Sequence, residues 1–438
     1  MKQFISKNKS ILQLSGANFL VLALPTLLLP VFSRLYTVSD FAVFGIYSTV
    51  IGIFMPFLSG HYQQAIPVPN DKNEITALSR LSLILLLFST LLISLVWLYS
   101  DCFRSLFDPE NMLHPYFLWI PLGLLLGGYV QIIQHWILQG GLFTRYAASK
   151  STQAVGQSVV RYFAGVKAIS ITGGLIYSFV AGLFFQSIVF GTQFKPEFQK
   201  GFNGVCSVAK KYSSFLRFGL ISAIFFALAN FLPLTFLAHF FSENEVGQYS
   251  LAMRLGSVPV FVLASSFGQV YFAKCKKESG KSQQHTYELL QKLLRISSYV
   301  IIGGSFLLIP VGKLVFGSEW LMALKMTLIL LPGLWLNFLV LPLTNLFELG
   351  NRQDLSLKYS IWALVLKLGL MLVGVYFFQD VYEVMAFFMV GMVISGAIGW
   401  YLCAKIVSTS SVKLLKNNYI IICLAIFSLL IQFMFFNS

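Results

Sequence analysis

Apolar runs of about twenty residues follow one another along nearly the whole chain, each separated from the next by a short polar stretch. A run of that length is what a helix needs to cross the hydrocarbon core of a bilayer. A helix is also one of only two structures that satisfy every backbone N–H and C=O group inside lipid. The runs lie at about 11–32, 41–62, 78–99, 115–138, 151–169, 172–193, 213–240, 249–272, 293–315, 326–349, 358–378, 383–406 and 419–436. They predict an all-α, polytopic integral membrane protein with about 12–13 transmembrane helices. Composition excludes the alternatives. Of 438 residues 57% are hydrophobic and 11% charged, less than half the roughly 25% of a soluble domain, and 43 Phe are the opposite of a disordered composition.

The first run follows Lys2, Lys7 and Lys9. It is too long for the apolar segment of a signal peptide and has no small-residue cleavage site after it, so it reads as an uncleaved span. The fifth run is the weakest, being interrupted by Gln153, Gln157, Arg161 and Lys167. Charge sets the orientation. With the N-terminus inside, five of the 31 Lys and Arg (Arg34, Arg104, Lys167, Lys313, Lys325) fall outside. Four (Arg161, Arg217, Arg254, Lys367) fall within spans, leaving 22 on inside segments and their flanks. That asymmetry is the positive-inside pattern. It accounts for the net charge of +15 without a nucleic-acid partner and gives basic loops that attract anionic membrane lipids. Cys102, Cys206, Cys275, Cys403 and Cys423 form no C-x-x-C pair and no Cys/His cluster, so neither a metal site nor any other cofactor is expected. The longest loops, 194–212 and 273–292, have about twenty residues each, which leaves no room for a soluble catalytic or ATP-binding domain.

The two halves echo each other. Gly16 and Pro30 match Gly219 and Pro233 at a spacing of 203, and Gly45-Ile46-Tyr47-Ser48 matches Gly247-Gln248-Tyr249-Ser250 at 202. Each pair of spans is joined by a short acidic outer turn, Ser39-Asp40 and Ser242-Glu243. Units repeated six spans apart keep the same orientation, which implies parallel repeats about an axis along the membrane normal with a cavity between two bundles. The expected division is a six-helix lobe over 1–200, a second over 201–406, and an extra hydrophobic helix over 407–438.

The succession Ser33-Arg34-Leu35, Ser39-Asp40-Phe41 and Gly45-Ile46-Tyr47 resembles the first hairpin of bacterial polysaccharide flippases. The second half adds Lys211-Tyr212-Ser213-Ser214-Phe215, then Glu245-Val246-Gly247-Gln248-Tyr249 through Arg254, Val258-Pro259, and Phe267-Gly268-Gln269-Val270-Tyr271-Phe272. Together they are similar to the Wzx-type O-antigen flippases of the multidrug/oligosaccharidyl-lipid/polysaccharide (MOP) exporter superfamily. The resemblance covers most of 10–280 and is looser beyond. It implies a V-shaped, alternating-access transporter in the bacterial inner membrane. The implied substrate is an undecaprenyl-pyrophosphate-linked oligosaccharide, and the implied partners are a polysaccharide polymerase and a chain-length regulator. The family commonly has twelve or fourteen spans, against thirteen counted here, so the run 419–436 is either an extra span or a shorter re-entrant or interfacial helix.

Charges within spans are expensive and mark function. Arg161 and Lys367 lie near the midplane of the fifth and eleventh spans, which are repeat equivalents, and are candidate ligands for a pyrophosphate. Arg254, near the outer end of the eighth span, and Arg34, at the outer end of the first, are further candidates, although long cationic side chains at span ends also serve as interfacial anchors. Arg offers phosphate a bidentate fork and Lys a compact charge. No Asp or Glu lies mid-span, which counts against the alternative of a cation-coupled multidrug exporter of the same superfamily with a buried carboxylate. A membrane-embedded polymerase or transferase would need a large outer loop, whereas 100–114 reads as a short solvated connector; the chain is expected to be a transporter and not an enzyme. Asn18, Asn230, Asn337, Gln131, Gln134, Gln157 and Gln269 are polar residues at depth, Pro25, Pro30, Pro56, Pro121, Pro233, Pro259, Pro310, Pro332 and Pro342 are expected kinks, and His61, His135 and His239 read as scattered residues near span ends.

Overall fold

The computed structural model describes residues 24–166, 173–191, 204–277, 282–344, 346–347 and 352–407. Among these the secondary structure is helical, with no strand. In chain order the helices are α1 (Leu29–Leu35), α2 (Val38–Phe54), α3 (Lys72–Tyr99), α4 (Asp101–Phe107), α5 (Trp119–Gln139), α6 (Phe143–Val166) and α7 (Gly174–Gly191). They continue with α8 (Val205–Lys211), α9 (Ile221–Phe240), α10 (Glu243–Lys277), α11 (Ser282–Phe316), α12 (Leu321–Val340), α13 (Gln353–Phe378) and α14 (Val381–Val407). Among the described residues eight helical segments are long and apolar enough to cross a membrane, and each expected span from the second to the twelfth has a helix. The run 419–436 and most of 11–32 lie outside the described residues.

By packing, the chain divides into two compact units, Met1–Glu243 and Asn244–Ser438. The division differs from a lobe boundary at 200, which follows the sequence repeat. Its physical reason is that α9 packs on α2: Gly52 has no side chain, and the Phe231 ring occupies the place where its Cβ would stand, 2.6 Å away. The lobe division stays a reading of the repeat.

In unit 1, α2 is the central helix, buried over most of its length and packed against α5, α7 and α9. It starts on a capping box in which Thr37 and Asp40 exchange side-chain-to-backbone bonds, Asp40 N–H to Thr37 Oγ1 at 3.3 Å and Thr37 N–H to Asp40 Oδ2 at 2.8 Å. The acid of the first outer turn is therefore a helix cap. The expected span 41–62 ends early, because Pro56 lacks an N–H and the chain passes into a 3₁₀ turn at Met55–Phe57. In the same way the span at 326–349 leaves the α-helix at Val340 for a 3₁₀ turn around Pro342. Pro233, Pro310 and Pro332 lie inside helices, whereas Pro30 and Pro121 stand in the first turns of α1 and α5, where a missing N–H costs no helical bond. Tyr212 and Lys211 of the flippase-like motif clamp Glu74 at the start of α3, with Lys211 Nζ at 2.5 Å and the Tyr212 hydroxyl at 2.9 Å. The carboxylate raises the Lys211 ammonium above its ordinary range.

Two expectations about loops change. The 100–114 connector contains α4, whose Phe103 and Phe107 stack with Trp97 and Phe54 into an aromatic cluster. Its Asp108 is buried, accepts N–H bonds from Met112 and Leu113, and has its carboxyl raised by burial in spite of them. The 273–292 loop is largely helix, since α10 runs to Lys277 and α11 starts at Ser282.

Unit 2 is built on α12 and α14, with α13 against α14 and α11 against α12. Gln248 on α10 bonds both to the Glu319 carbonyl and to the Ala323 N–H at the start of α12. A core of Leu293, Leu294, Phe338, Leu339, Leu343 and Cys403 fills one end. The repeat is visible in burial: Tyr47 and Tyr249, matched in the sequence, are 0% and 1% exposed in their separate units. Outward faces are apolar, as on α3 (Leu87, Phe88, Leu91, Leu92) and α13 (Trp362, Val365, Leu372, Phe377), which is the surface a bilayer requires.

Candidate anion-binding site

Arg161 sits on α6 where that helix meets α1, α2 and α7, and it is 4% exposed. Its Nε donates to Ser178 Oγ on α7 at 3.1 Å. Its guanidinium lies 5.1 Å from the Phe32 ring centre and 5.3 Å from that of Phe44, so the charge rests on aromatic faces. The Tyr36 hydroxyl donates to the Arg161 carbonyl at 2.6 Å, which fixes α1 against α6. Among the described residues Arg161 makes no ion pair, and its Nη2, although buried, has no hydrogen-bond partner. A buried charge in that condition is costly, and an unpaired buried donor carries a penalty of about 1–3 kcal/mol. The arrangement is matched to an anion: a positive charge with a free donor and no carboxylate to be displaced.

Lys367 occupies the corresponding hairpin of unit 2. It is 5% exposed on α13, where α14 passes close to it. Gly391 permits that approach, since a Cβ there would lie 2.9 Å from the Lys367 Cα and 2.8 Å from the Leu366 carbonyl oxygen. Arg254 is half-buried on α10, and Arg34 is exposed near the end of α1. Arg34 follows Phe32 by two residues and is not part of the aromatic setting of Arg161. Of the four predicted cations, Arg161 in unit 1 and Lys367 in unit 2 are buried, Arg254 is half-buried and Arg34 is exposed.

Sequence reasoning missed Phe32, Tyr36, Phe44 and Ser178, which hold Arg161. It also missed Arg80 of α3, counted among cytoplasmic flank residues but only 4% exposed. The Gly16/Gly219 repeat pairs Arg161 with Lys367 by span, and that was the available signal for the cations; nothing marked two particular rings among 43 Phe. Two of the three histidines, His61 and His135, lie together, whereas His239 bonds within α9 to the Thr235 carbonyl at 2.9 Å. His135 bonds through Nδ1 to the Gln131 carbonyl (2.8 Å), and its Nε2 lies 3.0 Å from Gln64 Oε1, beside the turn that carries His61.

The helical composition, the apolar outer faces and the span-forming helices define a multi-pass membrane protein, and comparison with solved structures gives its fold: that of MOP-superfamily transporters. An inward-facing multidrug resistance MATE family transporter of that superfamily superimposes with a TM-score of 0.66 at 16% identity, over 91% of this chain and 93% of the other. A point mutant of the Vibrio cholerae MATE transporter VcmN gives 0.64 at 13% identity over 94% and 99%. A MOP-superfamily transporter from Pyrococcus furiosus, described as having a binding pocket of reverse polarity that suggests a different function, gives 0.65 at 16% identity over 91% and 96%. No curated protein matches by sequence. Residues 31–325, more than half of the chain, match the family described as polysaccharide biosynthesis protein, and the chain belongs to that family.

Proposed function

We propose that the protein is a flippase that moves undecaprenyl-pyrophosphate-linked oligosaccharide units, of O-antigen or capsule type, from the cytoplasmic to the outer face of the bacterial inner membrane. Its two lobes alternate access, its N-terminus is cytoplasmic, and it acts without covalent chemistry. The observation that carries this reading is Arg161: a buried guanidinium on aromatic faces, with an unpaired Nη2 and, among the described residues, no ion pair. Family membership supplies the polysaccharide context. A pyrophosphate brings the negative charge that Arg161 lacks, while the polyprenyl tail stays in lipid and each sugar hydroxyl avoids the cost of several kcal/mol of entering hydrocarbon unpaired. In this scheme Lys367 gives the second unit an equivalent cation, and Arg34 and Arg254 meet the anion toward the outer face. A polymerase and a chain-length regulator consume the product. Exporters of cationic drugs need the opposite polarity, and among the described residues no carboxylate lies mid-span to provide it.

Deletion of the gene tests the reading. Surface polysaccharide should disappear and lipid-linked repeat units should accumulate on the cytoplasmic face, with no gain in sensitivity to cationic compounds. The comparison strain also lacks the first glycosyltransferase, so that sequestration of the lipid carrier is separated from loss of transport. Unchanged surface polysaccharide in a strain without a second flippase would reject the proposal, and drug sensitivity in its place would favour the exporter alternative.

A further inference from the structure

The pyrophosphate accounts for the buried cations but not for a second group of polar side chains at the other end of α2. There the chain turns through Gly60 and His61, at φ 57° and 64°. A left-handed histidine is strained and persists where its surroundings enforce it. The turn delivers Gln63 and Gln64 to α5. Ser59 Oγ donates to Gln63 Oε1 (2.5 Å), and Gln63 Nε2 donates to Gln131 Oε1 (3.4 Å). The His135 ring spans the Gln131 carbonyl and Gln64 Oε1. Gln131, Gln134 and His135 lie within about one turn of α5, all partly exposed, and Gln64 is exposed. Lys150 stands near the start of α6, which packs on α5, with its ammonium 5.9 Å from the Tyr146 ring centre. Among the described residues no carboxylate hydrogen-bonds to any of these groups.

The chemistry of this set is specific. A span end that only anchors a helix uses Lys, Arg, Trp or Tyr. Here the groups are primary amides and an imidazole, each able to donate and accept, which is what a sugar hydroxyl requires of its partner. They are also held ready. A neutral imidazole has one N–H; once that is given to the Gln131 carbonyl, Nε2 is an acceptor facing an amide that can turn, so the His135–Gln64 pair is open to an inserted O–H group. We propose that Gln64, Gln131, Gln134 and His135 form a binding face for the hydroxyl groups of a glycan headgroup, with Lys150 beside it to meet the headgroup's phosphate. This rests on the flippase reading and assigns the sugar contact that Arg161 does not provide. On the charge-derived orientation the face lies at the cytoplasmic end of unit 1, where the loaded carrier lipid is first met.

The experiment uses the full-length protein in lipid nanodiscs and two synthetic probes, farnesyl pyrophosphate and the same lipid carrying a disaccharide. The disaccharide should tighten binding about tenfold or more. Gln64→Ala, at an exposed position that does not threaten folding, and Gln131→Met should each remove about fivefold of that gain, as expected for one neutral hydrogen bond, and leave farnesyl pyrophosphate binding unchanged. Lys150→Gln should weaken both probes. A disaccharide gain that survives in Gln64→Ala and Gln131→Met, or variants that weaken both probes equally, overturns the glycan face while leaving the flippase reading intact. If the wild-type protein binds neither probe, the flippase reading falls, and this assignment with it.

Discussion

Replacing Arg161 with methionine separates a structural cation from a functional one. The unbranched side chain follows the arginine stem as far as Nε and stops short of the guanidinium, and its thioether can approach the Phe32 and Phe44 rings, where such a contact is worth about 0.3–1.5 kcal/mol. The variant loses a charge-assisted bond to Ser178, about 1.5–3 kcal/mol, and two desolvated cation–π contacts of about 1–2 kcal/mol each. Against this it no longer buries a guanidinium, a penalty of several kcal/mol after relaxation, and no longer leaves Nη2 unpaired. These terms nearly cancel, and removing buried charge in favour of an apolar side chain of similar volume is commonly neutral or stabilising. Arg161→Met should therefore keep stability within about 2 kcal/mol of wild type, read as thermal unfolding in detergent, and insert at normal level while surface polysaccharide is lost. Arg161→Lys should retain part of the transport, because it restores the charge without the fork. Transport that survives in the Met variant, or that falls only in proportion to lost stability and protein level, would refute the reasoning.

Two other outcomes are expected. Gly391→Leu should separate α13 from α14 and destabilise unit 2 by about 1–3 kcal/mol, visible as reduced thermal stability, because its Cβ would meet the Leu366 carbonyl at 2.8 Å; a variant as stable as wild type would remove the close contact from the account. Phosphatase reporters inserted after Glu110 should be active and those after Ser279 inactive; on the thirteen-span count a fusion after Ser438 should be active too, and an inactive fusion there with an active cytoplasmic reporter would delete the last span.

The spans were legible because the bilayer imposes a length on every helix, and even the polar α6 was recovered by its place in the alternation of charge. Their ends were less so. Hydropathy runs straight through Pro56 and Pro342, whereas the helix stops for want of an N–H. The acid in the first outer turn was visible but not its role, since a capping box depends on the backbone angles at Thr37. Arg161 stood out as a charge near the midplane of an interrupted run. Its setting did not, because Phe32, Phe44 and Ser178 reach it from three other helices and nothing local distinguishes them. The amide cluster was hidden for the same reason: Gln64 and His135 are 71 residues apart, and each alone looks like an ordinary residue at a helix end.

The pairing of Arg161 with ring faces, and not with a carboxylate, has an electrical consequence. Aromatic quadrupoles hold a cation but do not neutralise it, so Arg161 keeps its positive charge, and on the proposed function a pyrophosphate-loaded site would carry a negative one. A potential negative inside, worth about 2.3 kcal/mol per charge per 100 mV across the full membrane, or roughly 0.2 kcal/mol for each tenth of the field traversed, then draws the empty site inward and drives the loaded one outward. In the proposed cycle the membrane voltage would act as a rectifier, through the reversal of a single site's sign. Transport in proteoliposomes should accordingly quicken when an inside-negative potential is imposed on inward-oriented protein, and Arg161→Met should change that voltage dependence.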